Sequence, residues 1–126
     1  MPHKILVVDD EPDLEILITQ RFRKRIREQD LDFVFAGNGQ EALAKLESNG
    51  GMDVVLTDIN MPVMDGLKFI ERIRANPVWE KLPIIVITTE GSEGVTKESI
   101  KKGANNIVKK PFTPEQIKEK LSPYFA

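Results

Sequence analysis

Three acidic residues follow the first apolar run of the sequence. Residues 5–8, ILVV, have the composition of a buried strand and lead directly into Asp9, Asp10 and Glu11. Adjacent carboxylates resist ionisation unless positive charge is held beside them. Mg²⁺ suits such a place, because it usually binds one or two carboxylates and keeps waters or phosphate oxygens at its other positions. The pattern therefore indicates a divalent cation at the end of this run.

Three further polar residues stand at comparable places in the chain. Asp58 ends the third apolar run, Thr88 ends the fourth, and Lys110 follows the fifth. A carboxylate beside a metal stays ionised and can attack phosphorus to form an acyl phosphate. Lysine and threonine can hold phosphoryl oxygens, since phosphoryl transfer depends chiefly on positioning and electrostatic stabilisation. We therefore predict a Mg²⁺-dependent site in which Asp58 is the nucleophile.

Each of these residues also has an ordinary structural explanation. An Asp pair after a strand often caps a helix, and a single Asp such as Asp58 often forms a turn. Thr88 can equally be a plain strand residue, and Lys110 a surface lysine. The prediction depends on their joint placement, because ligands of open α/β sheets bind outside the carboxyl ends of the strands.

The elements that must position these residues alternate along the chain. The predicted strands are residues 4–9, 32–36, 53–58, 83–88 and 106–109. The first, third and fourth are continuously apolar and rich in Val and Ile, which is typical of strands covered on both faces. The order (βα)5 predicts the α/β class, with a doubly wound, five-stranded parallel sheet, right-handed crossovers and helices on both faces.

Five helices are predicted to follow the strands. They cover residues 12–26, 39–48, 66–75 and 92–102, and the segment that begins at residue 114. The apolar stripe of the first helix reaches Ile26, and Gly94 makes the fourth helix intrinsically weak. Asn38 and Thr113 are the predicted N-caps of the second and fifth helices, and Thr113 forms a capping box with Gln116.

Composition limits the class of protein. The 126 residues, 40% hydrophobic and 30% charged, suit one globular domain over residues 1–126. Cysteine is absent, which excludes disulfides, a Cys nucleophile and thiolate zinc. With a net charge of −2 and no secretory signal or membrane-length apolar stretch, we expect a cytoplasmic protein that binds neither membrane nor nucleic acid directly. The basic residues 21–28 are predicted to be a solvated helix face, with a patch for an acidic partner as the alternative.

Four stretches together resemble the receiver domain of two-component response regulators. They are DD at residues 9–10, LTDINMPVMDG at 56–66, IVITTEG at 85–91 and KPF at 110–112. They span essentially the whole chain in the usual order and spacing, and the short length resembles the single-domain, CheY-like members. The resemblance implies a flavodoxin-like fold with strand order 2-1-3-4-5.

The resemblance also implies a role for each acidic residue. Asp58 would accept phosphate from a phosphohistidine on a sensor histidine kinase or a histidine phosphotransfer protein. Asp10 would ligate Mg²⁺ directly and Asp9 more often through water, with the backbone carbonyl of Asn60 as a further ligand. Phosphorylation would then change a conformation that an output protein, not identifiable from the sequence, recognises.

The remaining motif residues resemble the family's conformational switch, with one departure. Thr88 would move toward the phosphoryl group and Lys110 would pair with it, and Lys110-Pro111 is expected to be a cis peptide. The family usually has Tyr or Phe where this chain has Ile107, and a β-branched side chain has few rotamers and no hydroxyl. Output is therefore expected through the surface of the fourth helix, the fifth strand and the fifth helix.

By the same resemblance, three residues stand at positions where members of this family tune dephosphorylation. Asn60 and Glu90 come two residues after Asp58 and Thr88, and this Asn/Glu pair resembles the rapidly self-dephosphorylating chemotaxis members. Thr89 is bulkier than the Ala or Gly often found at its position and would restrict the access of water. Because the two effects oppose each other, no phosphoryl lifetime is predicted.

Two other functions remain open at this point. A phosphohydrolase of the haloacid-dehalogenase type would share the aspartyl nucleophile, but it needs a second Asp as general acid where this chain has Asn60. A protein-binding module that works without phosphorylation is the second alternative, and Ile107 leaves room for it. Nucleotide binding is disfavoured, because the chain has neither a Walker A nor a GxGxxG sequence. The prediction is a phosphoacceptor signalling domain and not an enzyme.

Overall fold

The sheet has five parallel strands in the expected order. The computed structural model describes residues 3–48, 51–61, 63–89, 93–110 and 113–124. The strands are β1 (His3–Val8), β2 (Leu31–Ala36), β3 (Val54–Asp58), β4 (Ile84–Thr89) and β5 (Asn106–Lys110). They pair in the order β2-β1-β3-β4-β5, and all four pairings are parallel. The predicted class and strand order are therefore confirmed.

Helices follow the strands along the chain. In the described residues they are α1 (Pro12–Arg21), α2 (Arg23–Arg27), α3 (Gly39–Ser48), α4 (Gly66–Arg74), α5 (Glu93–Lys102) and α6 (Pro114–Leu121). Short 3₁₀ helices occur at Pro77–Trp79 and Ser122–Tyr124. In this part of the chain, each helix is too short or too polar to span a membrane.

The hydrophobic core forms two layers, one on each side of the sheet. Successive strand residues point to opposite faces, so Ile5 and Val7 of β1 lie in one layer while Leu6 and Val8 lie in the other. We call them the first and the second layer. Side chains of α1, α2 and α6 cover the first layer, and those of α3, α4 and α5 cover the second. The sheet is thus covered on both faces, as its apolar strands predict.

The first predicted helix is in fact two helices, so the prediction of one continuous element is wrong. The backbone leaves helical geometry at Phe22, where φ is −105° and ψ is 16°. The Phe22 side chain is nevertheless buried, and its ring centroid lies 5.5 Å from that of Phe33 in β2. Because the apolar stripe continues through Phe22 to Ile26, which also packs on the first layer, the sequence pattern carries no sign of the break.

The predicted helix starts are confirmed at two places. Asn38 precedes α3, and its Oδ1 accepts a hydrogen bond of 2.9 Å from the backbone N–H of Glu41. Thr113 and Gln116 form the full capping box at the start of α6. Side chains therefore satisfy backbone N–H groups that a helix start leaves without partners.

Candidate functional site

Three carboxylates meet at the carboxyl ends of β1 and β3. Asp9 and Asp10 follow the end of β1, and Asp58 is the last residue of β3. Because β1 and β3 are neighbours in the sheet, the side chains converge, and one oxygen of each carboxylate lies within 4.8 Å of the other two. Asp10 is exposed, Asp9 is partly buried, and Asp58 is only 9% exposed. Oxygen donors gathered in this way suit Mg²⁺.

Burial and the neighbouring negative charges make the Asp9 carboxylate hard to ionise. Removal from water raises the pKa of Asp9 from 3.8 to about 6, and the negative charges of Asp58 and Asp10 add to the rise. The backbone N–H of Glu11, which donates to Asp9 Oδ1 at 3.0 Å, and the charge of Lys110 act in the opposite direction. A divalent cation would favour the ionised forms, so the residues present fit a Mg²⁺ ion.

The Asp58 carboxylate is oriented by the backbone on one side and by a lysine on the other. Its Oδ1 accepts a hydrogen bond of 2.7 Å from the N–H of Ile59. Its Oδ2 lies 3.7 Å from Nζ of Lys110, the last residue of β5. Since β4 lies between β3 and β5, the lysine side chain reaches across the end of β4. One carboxylate oxygen is thus held beside a positive charge, as an attacking oxygen would need.

The hydroxyl of Thr88 adds an unpaired hydrogen-bond donor to the same edge. Thr88 follows Ile87, the residue of β4 that pairs with Asp58. It is 4% exposed, and its Oγ1 has no hydrogen-bond partner among the residues that the structure describes. A buried hydroxyl without a partner costs about 1–3 kcal/mol, so it indicates a group that a ligand completes. A phosphoryl oxygen would be a suitable acceptor.

Two glycines fix the loop that follows Asp58. A Cβ on Gly66 would lie 2.3 Å from the Asp58 carbonyl oxygen, and the Gly66 N–H donates to the Ile59 carbonyl at 2.8 Å. A Cβ on Gly39 would lie 2.9 Å from the Met64 carbonyl oxygen, which accepts from the Gly39 N–H at 3.1 Å. From the sequence, these glycines are predicted only to be helix starts, because nothing local shows which backbone segment approaches them.

The other predicted site residues are described in part. Asn60 is exposed in the loop after β3. Ile107 of β5 packs against the second layer, and Thr89 is the last residue of β4. Glu90 and Pro111, and with Pro111 the expected cis peptide, lie outside the described residues. The roles assigned to these residues therefore stay predictions.

A cavity of about 420 Å³ is lined by Asp9 and Asp10. Phe35 of β2 contributes an apolar wall, and Glu11, Glu15 and Glu41 lie around it. In the described part of the chain, every charged residue that lines the cavity is acidic. The surroundings of Asp9 and Asp10 therefore attract cations and repel free anions.

A family model and the curated relatives of this chain point to the same protein family. The model of the response regulator receiver domain matches residues 5–122. Chemotaxis protein CheY1 of Helicobacter pylori is 41% identical over 118 residues, which cover 94% of this chain and 93% of that protein. A chemotaxis protein CheY homolog of Campylobacter jejuni is 39% identical over 118 residues, covering 94% and 88%. The likeness thus extends over nearly the whole chain.

Solved structures share the fold. The chemotaxis response regulator CheY4 of Vibrio cholerae has a TM-score of 0.85 at 31% identity, and the match covers 98% of this chain and 99% of that one. The receiver domain of the sensor histidine kinase PA1611 of Pseudomonas aeruginosa has a TM-score of 0.84 at 25% identity, with coverage of 99% and 98%. That structure has a magnesium ion coordinated in its active site cleft.

Proposed function

We propose that Asp58 is the phosphorylated residue of this chain, which belongs to the response regulator receiver domain family. The observation that carries the proposal is the placement of Asp58. Its carboxylate stands between the two acidic residues after β1 and the ammonium group of Lys110, 3.7 Å away. A phosphoryl group on Asp58 would therefore meet a metal on one side and a lysine on the other.

The donor in this proposal is a phosphohistidine on a sensor histidine kinase or a histidine phosphotransfer protein. The Asp58 oxygen that faces Lys110 attacks phosphorus, and an O–P bond forms as the P–N bond of the donor breaks. The leaving imidazole keeps the electron pair of that bond and takes a proton from water. Lys110 offsets the negative charge of the phosphoryl oxygens, and the hydroxyl of Thr88 donates a hydrogen bond to one of them.

The acidic residues have a separate part in this chemistry. Asp9, Asp10 and Asp58, with the backbone carbonyl of Asn60, would hold Mg²⁺. When bound, the ion supplies positive charge next to the transferred group. The raised pKa of Asp9 supports this assignment, because a bound cation would offset the burial and the neighbouring negative charges that raise it.

The proposal makes the chain a switch and not an enzyme that acts on outside substrates. The modified residue belongs to the protein itself, and hydrolysis of the acyl phosphate, tuned by Asn60, Thr89 and Glu90, returns it to the resting state. Phosphorylation shifts a conformational equilibrium that an output protein recognises on the surface of α5, β5 and α6. We place the protein in the cytoplasm with its donor, without direct contact with nucleic acid or membrane.

The experiment that tests the proposal is intact-mass spectrometry after incubation with Mg²⁺ and phosphoramidate. We expect a gain of one phosphoryl group that is lost in Asp58→Asn and in EDTA. Asp53→Asn is the matched control, because Asp53 lies at the opposite end of β3, where it accepts from the N–H of Lys4. The control should gain the same mass as the natural sequence.

Two outcomes would contradict the proposal. A mass gain that survives in Asp58→Asn would place the phosphoryl group elsewhere. No gain under any condition would favour a binding module that works without phosphorylation, in which the unpaired hydroxyl of Thr88 has another explanation.

A further inference from the structure

The two ends of α5 are held very differently. The last turn and the residues after it are fixed by Arg74, the last residue of α4. Nε and Nη2 of Arg74 donate to the Gly103 carbonyl at 3.1 and 2.9 Å, and Nη2 also donates to Asn105 Oδ1 at 3.0 Å. Nη1 donates to the Trp79 carbonyl at 2.9 Å. One guanidinium therefore joins the carboxyl end of α5 to two other segments of the chain.

The hydrogen bonds of Arg74 to Gly103, Asn105 and Trp79, which we call the clamp, are connected to the sheet through Asn105. Asn105 Oδ1, which accepts from Arg74, also accepts from the N–H of Ile84 at 2.9 Å, and the Asn105 N–H donates to the Ile84 carbonyl at 2.8 Å. Ile84 is the first residue of β4 and is fully buried. The end of α5 is thus tied, through Asn105, to a rigid part of the core.

The absence of a side chain at Gly103 allows Arg74 to approach the backbone closely. Its φ is +120°, and a Cβ there would lie 2.8 Å from both Cγ and Nε of Arg74. A side chain at this position would be strained and would displace the guanidinium. Beside it, Lys102 forms ion pairs with Glu71 of α4 and Glu98 of its own helix. The last turn of α5 is therefore fixed by charged contacts on two sides.

The first half of α5 has no comparable contacts. Among the described residues, the hydrogen bonds and ion pairs of the side chains at 93–98 stay within the helix. Within the described ranges, the buried hydroxyl of Thr96 has no partner, and a Cβ on Gly94 would meet nothing within 4 Å. In this same part of the chain, the contacts that attach the first half of α5 to the protein are apolar, such as the packing of Val95 on the second layer.

We propose that Arg74 is a positioning residue of the switch, because it makes the carboxyl end of α5 a fixed pivot at Gly103. This inference rests on phosphorylation of Asp58 as the trigger. Thr88 lies near the end of β4, and α5 is the next helix in the chain, so a change at Thr88 reaches the loosely held first half of α5 before the clamped end. The first half of α5 therefore moves, and the last turn stays in place.

The test is amide hydrogen exchange followed by NMR, with and without Mg²⁺ and beryllium fluoride, a phosphoryl mimic. In the natural sequence we expect the mimic to change exchange at residues 93–98 and to leave residues 99–105 unchanged. Arg74→Met removes the four hydrogen bonds that the Arg74 guanidinium donates but keeps an aliphatic side chain. We expect protection at residues 99–105 to fall by roughly tenfold or more without the mimic, since hydrogen bonds from a charged group are lost.

The decisive readout is the boundary of the change that the mimic causes. In Arg74→Met this change should extend into residues 99–105. Arg74→Lys, which keeps the charge but cannot make the forked contacts, should show the same extension if the Met variant folds poorly. Arg72→Met is the matched control, because Arg72 is an exposed residue of the same helix, and its profile should match that of the natural sequence.

Three results would overturn the inference. An equal effect of the mimic on residues 93–98 and 99–105 of the natural sequence would exclude a pivot at Gly103. A lower protection in the Arg74 variants with an unchanged boundary would reduce Arg74 to a structural residue. If beryllium fluoride causes no Asp58-dependent shift in the NMR spectrum, both the proposed function and the pivot fail. If the shift occurs, the proposed function stands, and the exchange profile then tests the pivot separately.

Discussion

Replacing Thr88 with valine should make the resting protein more stable and less able to take up phosphate. The side chain is 4% exposed, and in the part of the chain that the structure describes its hydroxyl has no hydrogen-bond partner. Valine has nearly the same shape and is equally suited to a strand, so the substitution removes the unpaired hydroxyl and little else. Because Thr88 would donate to the phosphoryl group, its loss should also slow phosphorylation.

The size of the effect follows from the state of the hydroxyl. A buried polar group without a partner costs about 1–3 kcal/mol, so we expect the free energy of unfolding of Thr88→Val to rise by about 1–2 kcal/mol. For a chain of this length, this raises Tm by roughly 3–8 °C. The matched control is Thr57→Val, because Thr57 is fully buried but its Oγ1 donates to the Asp58 carbonyl at 2.9 Å. That variant should lose about 1 kcal/mol.

Urea unfolding of both variants without Mg²⁺ or a phosphodonor measures the two changes, and the phosphoramidate assay measures the loss of function. The opposite signs of the two substitutions are the specific result. If Thr88→Val is less stable than the natural sequence by as much as Thr57→Val, the Thr88 hydroxyl is satisfied in solution. The argument that it awaits a phosphoryl oxygen would then be refuted.

Three further predictions concern the same edge of the sheet. Because the pKa of Asp9 is raised from 3.8 to about 6, the folded state binds more protons than the unfolded state between these values, so Asp9 should reduce the stability of the metal-free protein as pH rises from about 4 to about 6. Urea titrations should show this loss in the free energy of unfolding, which Asp9→Asn should lack and saturating Mg²⁺ should offset. An identical pH profile in Asp9→Asn would contradict the prediction. Gly66→Ala should lower the free energy of unfolding by about 2 kcal/mol or more, because its Cβ would lie 2.3 Å from the Asp58 carbonyl oxygen. Gly94→Ala places its Cβ in open space and should raise the free energy of unfolding by about 0.5–1 kcal/mol. A thermal unfolding experiment in which the Gly66 variant is the more stable of the two would refute this prediction. Lys110→Met should slow phosphoramidate-dependent phosphorylation by roughly a hundredfold, a loss typical of one charged group in such a site, and an unchanged rate in the mass assay would exclude Lys110 from the chemistry.

The positions of the strands and the edge at which the polar residues meet were predictable from the sequence, whereas the order of the strands followed only from the resemblance to receiver domains. Continuous apolar runs mark buried parallel strands, and each of Asp9, Asp58 and Thr88 stands at or just past the end of such a run. Since parallel strands bring their carboxyl ends to one edge, the residues had to converge there once the fold class was known. Helix caps such as Thr113 were equally accessible, because their hydrogen bonds are local.

Contacts between distant segments could not be predicted in the same way. The break at Phe22 preserves the apolar spacing on both sides, so the period of the pattern does not change. Nothing near Arg74 in the sequence distinguishes it from Arg72, yet one guanidinium closes a clamp on Gly103, while the other side chain is exposed. Such differences arise from the position of a helix relative to segments about 30 residues away, and the separation of Arg74 and Gly103 is 29.

The two-layer core has a consequence for how the protein could acquire new partners. The segment proposed to move, the first half of α5, packs on the second layer, whereas α1, α2 and their exposed basic residues lie over the first. The sheet between them is almost fully buried and acts as a partition. Surface residues of α1 and α2 can therefore vary with little effect on the first half of α5, so that this surface and the switch can evolve separately within one small domain.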